Sequence, residues 1–244
     1  MSFFDQTWGT WLNVLTVLVG SSIGLALRGR LPGRITTVVM QAIGLVTIYI
    51  GLSNAFDLGR VASPPGVLLG LLALALGGAL GEWLGIEEAL ERLGERLKKR
   101  FKGKGRFTEG FVTASLLFCV GPLTLLGGIQ NGLTGEAPYL VLKSTLDLFS
   151  SLALATSFGF GVLASALVVL VYQLVISLGA GIFANLIPDP SGDPHVQLIN
   201  GVGGLMIVAV GLGLLDIKRL RVASLLPALL LVPLLYQLGR LFTG

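Results

Sequence analysis

Two ionisable residues stand one helical turn apart inside an apolar stretch of this sequence, in Leu142-Lys143-Ser144-Thr145-Leu146-Asp147-Leu148-Phe149-Ser150-Ser151. At i, i+4 spacing Lys143 and Asp147 share one helix face, and Ser144 and Ser151 extend it into a polar stripe that should look into a bundle interior. A charge at mid-membrane costs at least about 2.5–3.5 kcal/mol on insertion scales. The pair therefore either fixes helix register as a buried ion pair or takes part in moving a solute or proton. Lys143 lies nearer the end of its span and could snorkel to the surface; Asp147 is deeper and cannot. Just upstream, Phe118-Cys119-Val120-Gly121-Pro122-Leu123-Thr124-Leu125-Leu126-Gly127-Gly128-Ile129-Gln130-Asn131-Gly132 carries Gly121-Pro122 halfway along an apolar run. A proline there removes a backbone donor and clashes with the preceding turn, so the helix should kink or break. If it breaks, Pro122 opens a half-helix whose positive end points into the bilayer and suits an anionic group. A simple packing kink is the alternative. The candidate solute-binding set is Gly121, Pro122, Thr124, Gln130, Asn131, Lys143, Ser144, Asp147 and Ser151; no catalytic or metal-ligating set accompanies it.

The elements that must position these residues follow from composition. The chain has 244 residues, 53% of them hydrophobic and only 12% charged, against roughly a quarter charged in soluble domains. Long apolar runs between short charged islands call for a bilayer as solvent. The fold expected is all-α and integral to the membrane, with about eight transmembrane helices near 9–27, 35–56, 64–84, 108–133, 138–158, 162–187, 195–215 and 222–242. Pro64, Pro138 and Pro194 each fit a first helical turn, where a missing N–H is tolerated. The opening MSFFDQTWGTW has no basic residue before its apolar stretch, so it does not read as a removable signal peptide. Arg28, Arg30 and Arg34, the basic residues from Arg92 to Arg106, and Lys218, Arg219 and Arg221 fall on one side of this arrangement, with Arg60 and Arg240 on the other. The heavily basic side should be cytoplasmic, which places both termini outside.

The chain divides on this reading into a first three-helix repeat (1–84), a cytoplasmic amphipathic and basic linker (85–107), a central broken-helix pair (108–161) and a second, inverted three-helix repeat (162–244). The linker places Ile86, Leu90, Leu93 and Leu97 at helical spacing and reads as a helix on the membrane surface, or as a charged connection only. The repeat rests on a near-constant offset. Gly44, Leu45, Gly51 and Leu52 match Gly204, Leu205, Gly211 and Leu212 at offset 160, and Arg60-Val61-Ala62-Ser63 recurs as Arg221-Val222-Ala223-Ser224 at offset 161. Each copy has an Asp just upstream, Asp57 and Asp216. Arg60 falls outside and Arg221 inside, so the copies are inverted, as is common in secondary transporters. The polar residues Asn13, Gln41, Asn54, Gln173, Asn185 and Asn200, buried within spans, read individually as interhelical glue.

Several chemistries are closed off. One cysteine and one histidine cannot form a disulfide or a structural zinc site, no glycine run has the form of a nucleotide loop, and Asp147 with Ser144 or Ser151 lacks a histidine partner for nucleophilic catalysis. An enzyme is not expected, nor a cofactor. The net charge of +4 needs no nucleic acid, because cytoplasmic loops beside anionic lipid account for it. The run LLFCVGPLTLLGGIQNGLTG, followed by LVLKSTLDLFSSLALATSFGFGVLASALVVLVYQ, resembles the central signature of the YdfK/YqgA-like family of bacterial multi-pass membrane proteins of unknown function. Gly20-Ser21-Ser22-Ile23-Gly24 and Gly44-Leu45 resemble it too. The resemblance implies a bacterial plasma (inner) membrane location and suggests transport, with no residue role to carry over. The function expected is secondary transport or permeation of a small polar or anionic solute. The alternatives are a passive channel and a structural or partner-binding membrane protein. The expected partners are the lipid bilayer, the small-molecule or ion substrate and a second copy in a homodimer.

Overall fold

The computed structural model describes residues 2–30, 32–100, 105–120, 122–181 and 193–243, and among these it is helical without strands. In chain order the helices are α1 (Phe3–Leu27), α2 (Gly33–Ala55), α3 (Gly66–Trp83), α4 (Ile86–Arg100), α5 (Phe107–Cys119), α6 (Pro122–Thr134), α7 (Pro138–Phe158), α8 (Phe160–Leu178), α9 (Pro194–Leu214) and α10 (Pro227–Thr243), with 3-10 turns at Phe56–Arg60 and Ala223–Leu225. Among the described residues six spans, at α1, α2, α3, α8, α9 and α10, are long and apolar enough to cross a bilayer, or seven if the bent pair α5/α6 counts as one broken span. α7 is 21 residues long but carries the charged pair. Large apolar side chains such as Tyr49, Leu71, Phe149, Val175, Leu230 and Leu241 point outward, as bundle helices require when lipid is the solvent.

Most boundaries fall within two residues of those expected, and the differences have local causes. α1 begins six residues early because Ser2 and Asp5 form a reciprocal capping box, Asp5 N donating to Ser2 Oγ at 3.1 Å and Ser2 N to Asp5 Oδ2 at 2.8 Å. Pro64 does not open a helix: it follows a cis peptide bond, and α3 starts at Gly66 after Pro65. Pro138 and Pro194 do occupy first turns, and Asp193 caps α9 by accepting from His195 N at 2.7 Å. The expected span 108–133 is two helices, and the expected final span opens with a 3-10 turn before α10. The expected span 162–187 is helical as α8 to Leu178, and its end from 182 on, with Asn185, lies outside the described residues, as do residues 101–104 of the basic linker.

The chain forms two compact units, residues 1–43 with 91–186 and residues 44–90 with 187–244. In the first, α1 and α7 run parallel. A Cβ on Gly20 would stand 2.2 Å from the Leu148 carbonyl oxygen, and one on Gly24 would stand 2.2 Å from that of Leu152, so only glycine lets the backbones approach this closely. α8 runs parallel to the broken span along its whole length. Gly161 meets Phe107 and Phe111 at one end, and Gly128 and Gly132 meet Ile176 and Ser177 at the other. The α5/α6 pair thus covers the same height as α8, as a span interrupted midway with its halves bent by 58°. α1 also packs on α8. α7 turns into α8 through Gly159 alone, at φ 75°, a conformation glycine adopts without steric cost. At this unit's end of α4, Gly94 seats on Thr108 and Phe111, and the Thr108 hydroxyl donates to Glu95.

The second unit is built on crosswise contacts. α2 and α9 are antiparallel: a Cβ on Gly51 would lie 2.7 Å from Gly204 O, one on Gly204 2.6 Å from Gly51 O, and one on Gly211 3.1 Å from Gly44 O. α3 and α10 repeat the pattern, with Gly239 against Pro64 and Gly78 against Leu225. The two tetrapeptide copies have different ion partners. Arg60 pairs with Asp57 at 3.0 Å, whereas Arg221 reaches Glu82 at 2.8 Å and also Glu88. Glu87 accepts from Ala223 N at 2.8 Å and Ser224 N at 3.3 Å, closing the second copy's turn.

Candidate functional site

The break in the central span lies at the height of the charged pair. α5 ends at Cys119 and α6 restarts at Pro122, leaving backbone groups on both half-helices without intrahelical partners. One is recovered locally, Thr124 Oγ1 donating to Phe118 O at 3.2 Å. On α7, Lys143 and Asp147 are ion-paired and 5% and 7% exposed. Both charges are therefore inside the protein, and the Lys143 stem is not used to reach the surface. The Lys143 ammonium lies 5.9 Å from the centre of the Phe118 ring, and Cys119, buried, is within electrostatic reach of both charges. Asn13 on α1 approaches the Asp147 carboxylate. Tyr172 on α8 lies near Cys119, which puts its neighbour Gln173 beside the break.

Thr124, Lys143 and Asp147 are accordingly gathered into one layer with Ser144, which lies between the two charges on α7, while Ser151, Asn131 and Gln130 lie further along their helices. Ser144 Oγ donates to Leu140 O at 2.6 Å and Ser151 Oγ to Leu148 O at 3.0 Å, and Ser151 faces Gly20 across the α1–α7 contact. Asn131 ties α6 to the start of α1: its Nδ2 donates to Asp5 O at 3.0 Å, and Gly9 N donates to its Oδ1 at 3.1 Å. Trp8 Nε1 donates to Gly135 O at 2.7 Å and Gln6 Nε2 to Gly132 O at 3.1 Å at the same end. Gln130 sits on this half-helix with its side-chain oxygen buried and unpartnered. Gly121 lies outside the described residues, and Pro122 opens α6. Among the described residues no three His, Cys, Asp or Glu side chains gather as a metal ion would need. His195, at the start of α9, has Nδ1 2.8 Å from Asp193 and Nε2 2.7 Å from the Gln237 amide.

Two residues that the spacing of charges does not reveal complete the layer. Asn13 and Gln173 are fully buried; the Asn13 NH2 is turned to the Asp147 carboxylate, while the Asn13 amide oxygen and both polar atoms of Gln173 have no partner among the described residues. The hydroxyls of Thr10 and Ser177, one turn away on the same helices, are buried and unpartnered too. A buried polar group left this way costs about 1–3 kcal/mol. The signal was present in the chain, because 13 and 173 are separated by the offset of 160 that relates Gly44 to Gly204 and Gly51 to Gly211.

Lipid-facing helices around a buried ion pair and an interrupted span define a multi-pass α-helical membrane protein with a polar layer at mid-height. The chain belongs to the family described as protein of unknown function DUF554, which it matches over residues 8–237. It is 33% identical over 225 residues to the uncharacterized membrane protein YdfK of Bacillus subtilis (strain 168), covering 92% of this chain and 93% of that one. It is 30% identical over 227 residues to the uncharacterized protein YqgA of Escherichia coli (strain K12), covering 91% and 93%. No solved structure matches.

Proposed function

We propose that the protein is a secondary transporter or permease that carries a small polar or anionic solute across the bacterial plasma membrane through the layer around Lys143 and Asp147. The observation that carries this reading is a charged pair held inside the bundle beside a broken span, where neighbouring amides and hydroxyls lack partners. A register-fixing ion pair needs no broken helix and no unpartnered groups around it, whereas a solute path needs both. On this reading α7 is a span in its own right, making eight, and the cytoplasmic side is that of α4, with both termini outside. The crosswise glycine contacts support inverted repeats: residues matched at offset 160 meet antiparallel partners at matched positions, the arrangement of alternating-access transporters.

The test is uptake by proteoliposomes challenged with pools of small organic acids, amino acids, neutral polyols and inorganic anions, the washed vesicle contents being read by mass spectrometry. Wild-type vesicles should enrich at least one solute about tenfold over vesicles holding the paired Lys143→Met/Asp147→Asn variant, the fold-change that about 1.4 kcal/mol of lost transition-state stabilisation produces. Folded, reconstituted wild-type protein that enriches nothing from any pool would remove the transport reading and leave a structural or partner-binding role.

A further inference from the structure

The unpartnered amides point to the class of solute and to its coupling. We infer that Asn13, Gln173, the Lys143 ammonium and the first turn of α6 bind a small monovalent anion, and that the anion enters together with one proton carried by Asp147. This rests on the transport reading and goes beyond it by naming the ligand class, the residues that touch it and the stoichiometry.

Position is the first argument. Gly9 of α1 packs against Ala137 and Leu140 of α7, and Gly20 packs against Leu148 and Ser151, so Asn13 stands between these heights, beside the ion pair. Ile176 of α8 packs on Gly128 of α6. Gln173, three residues earlier, therefore stands beside the first turn of α6, whose backbone N–H groups have no carbonyls behind them. Two amides, an ammonium and a helix N-terminus stand at the height of the break, with a single carboxylate among them. The ammonium, the Gln173 NH2 and the positive end of the α6 dipole offer charge and donors that suit an anion.

Charge balance is the second argument. The titratable groups around Asp147 are Lys143 on its own helix and Cys119 on α5, with Tyr172 of α8 beyond, near Cys119; the described residues of α1 and α6 at this height bring none. The layer is neutral as it stands, with one ammonium, one carboxylate, a thiol and a phenol. An anion entering alone would leave a net negative charge in a low-dielectric interior. A proton arriving on an Asp147 carboxylate oxygen removes that charge and frees the Lys143 ammonium to pair with the anion. Neutrality is kept at each stage, and one anion with one proton crosses without net charge movement.

The test uses proteoliposomes enclosing a pH-sensitive dye, given inward gradients of chloride, nitrate or methanesulfonate, anions of strong acids that carry no proton across a bilayer unaided. Wild type should acidify the lumen with at least one of them, at a rate unaffected by a potassium–valinomycin clamp. Asn13→Leu, close to isosteric, and Gln173→Met, of matching length, should each slow acidification at least tenfold at unchanged protein incorporation. Asp147→Asn should abolish acidification yet permit anion entry that now depends on the clamp, because its ammonium is permanently free. Acidification by none of the three anions, or acidification at wild-type rate in both amide variants, overturns the inference. So does enrichment of only a neutral solute in the pooled uptake experiment, an outcome that leaves the transport reading standing.

Discussion

Breaking the Lys143–Asp147 pair from one side should be far worse than removing it whole, and the two single variants should respond to pH in opposite directions. Both side chains are inside the bundle and each has the other as its ion partner. Lys143→Met strands the carboxyl of Asp147, and the electrostatic penalty is capped by the work of holding that carboxyl neutral. With an ordinary aspartate value near 3.9 and 1.36 kcal/mol per pH unit, that is about 4.2 kcal/mol at pH 7 and about 1.5 kcal/mol at pH 5. Asp147→Asn strands the ammonium, and the same arithmetic from an ordinary lysine value near 10.4 caps the loss at about 4.6 kcal/mol at pH 7 and about 1.9 kcal/mol at pH 9. Lys143→Met should therefore regain stability relative to wild type as pH falls, and Asp147→Asn as pH rises. The double variant Lys143→Met/Asp147→Asn should lie within about 1–2 kcal/mol of wild type, since replacing a whole buried pair with neutral groups of similar volume is often close to neutral. At about 2–4 °C per kcal/mol for a chain of this size, the singles should unfold about 8–18 °C below wild type at pH 7 in detergent, read by a thiol-reactive dye on buried Cys119. A double variant less stable than either single, or single losses that ignore pH, would refute the assignment of the pair to a dry interior.

Asn131→Leu should remove the acceptor of Gly9 N and the donor to Asp5 O, lowering the melting temperature by the equivalent of about 2–6 kcal/mol, at about 1–3 kcal/mol per orphaned group. It should leave the opposite pH responses of the Lys143 and Asp147 variants unchanged. Gly51→Ala and Gly204→Ala each push a methyl into the other's carbonyl; each should destabilise by at least about 1–3 kcal/mol, and the pair together by less than the sum, because one backbone separation relieves both clashes. Full additivity by thermal denaturation would contradict the contact. The Thr108 hydroxyl holds the Glu95 carboxyl below the usual glutamate range, so the tie between α4 and α5 is intact above that range and is lost only as pH falls through the lowered value. A spin label at exposed Arg92 should keep one mobility from pH 8 to pH 5 and gain mobility in stronger acid, and Thr108→Val should make it mobile throughout.

Helix positions were legible because lipid makes hydropathy an almost complete rule: α7 spans 138–158 as expected, and α2, α3 and α9 lie within two residues of expectation. The errors arose where local chemistry outweighs hydropathy. Asp5 and Gln6 look too polar for a span, yet Ser2 and Asp5 cap α1 and Gln6 reaches Gly132 O. Pro64 looked like a first-turn proline, but the Pro64-Pro65 pair makes a turn of its own before Gly66. At the site, the pair and the break were legible from i, i+4 spacing and from Gly121-Pro122. Whether a buried amide is spent or free was not. Asn131 and Asn13 are the same residue type inside apolar runs, and one has two backbone partners while the other has none. Only the neighbouring backbone distinguishes them.

That distinction changes what the repeat means. Asn and Gln in membrane helices hold bundles together when they bond across an interface, and the sequence supports that reading for every one of them alike. Among the described residues the Gln173 amide and the Asn13 amide oxygen have no partner, although each residue is fully buried and each has an unpartnered hydroxyl one turn away. Their helices play matching parts: α1 lies parallel to one central span, α7, and α8 lies parallel to the other, α5/α6. Glycines at the same offset serve close backbone contacts, which hold a structure together. The amides at that offset stand instead at the height of the break and the ion pair, and on the anion proposal their hydrogen bonds serve a solute.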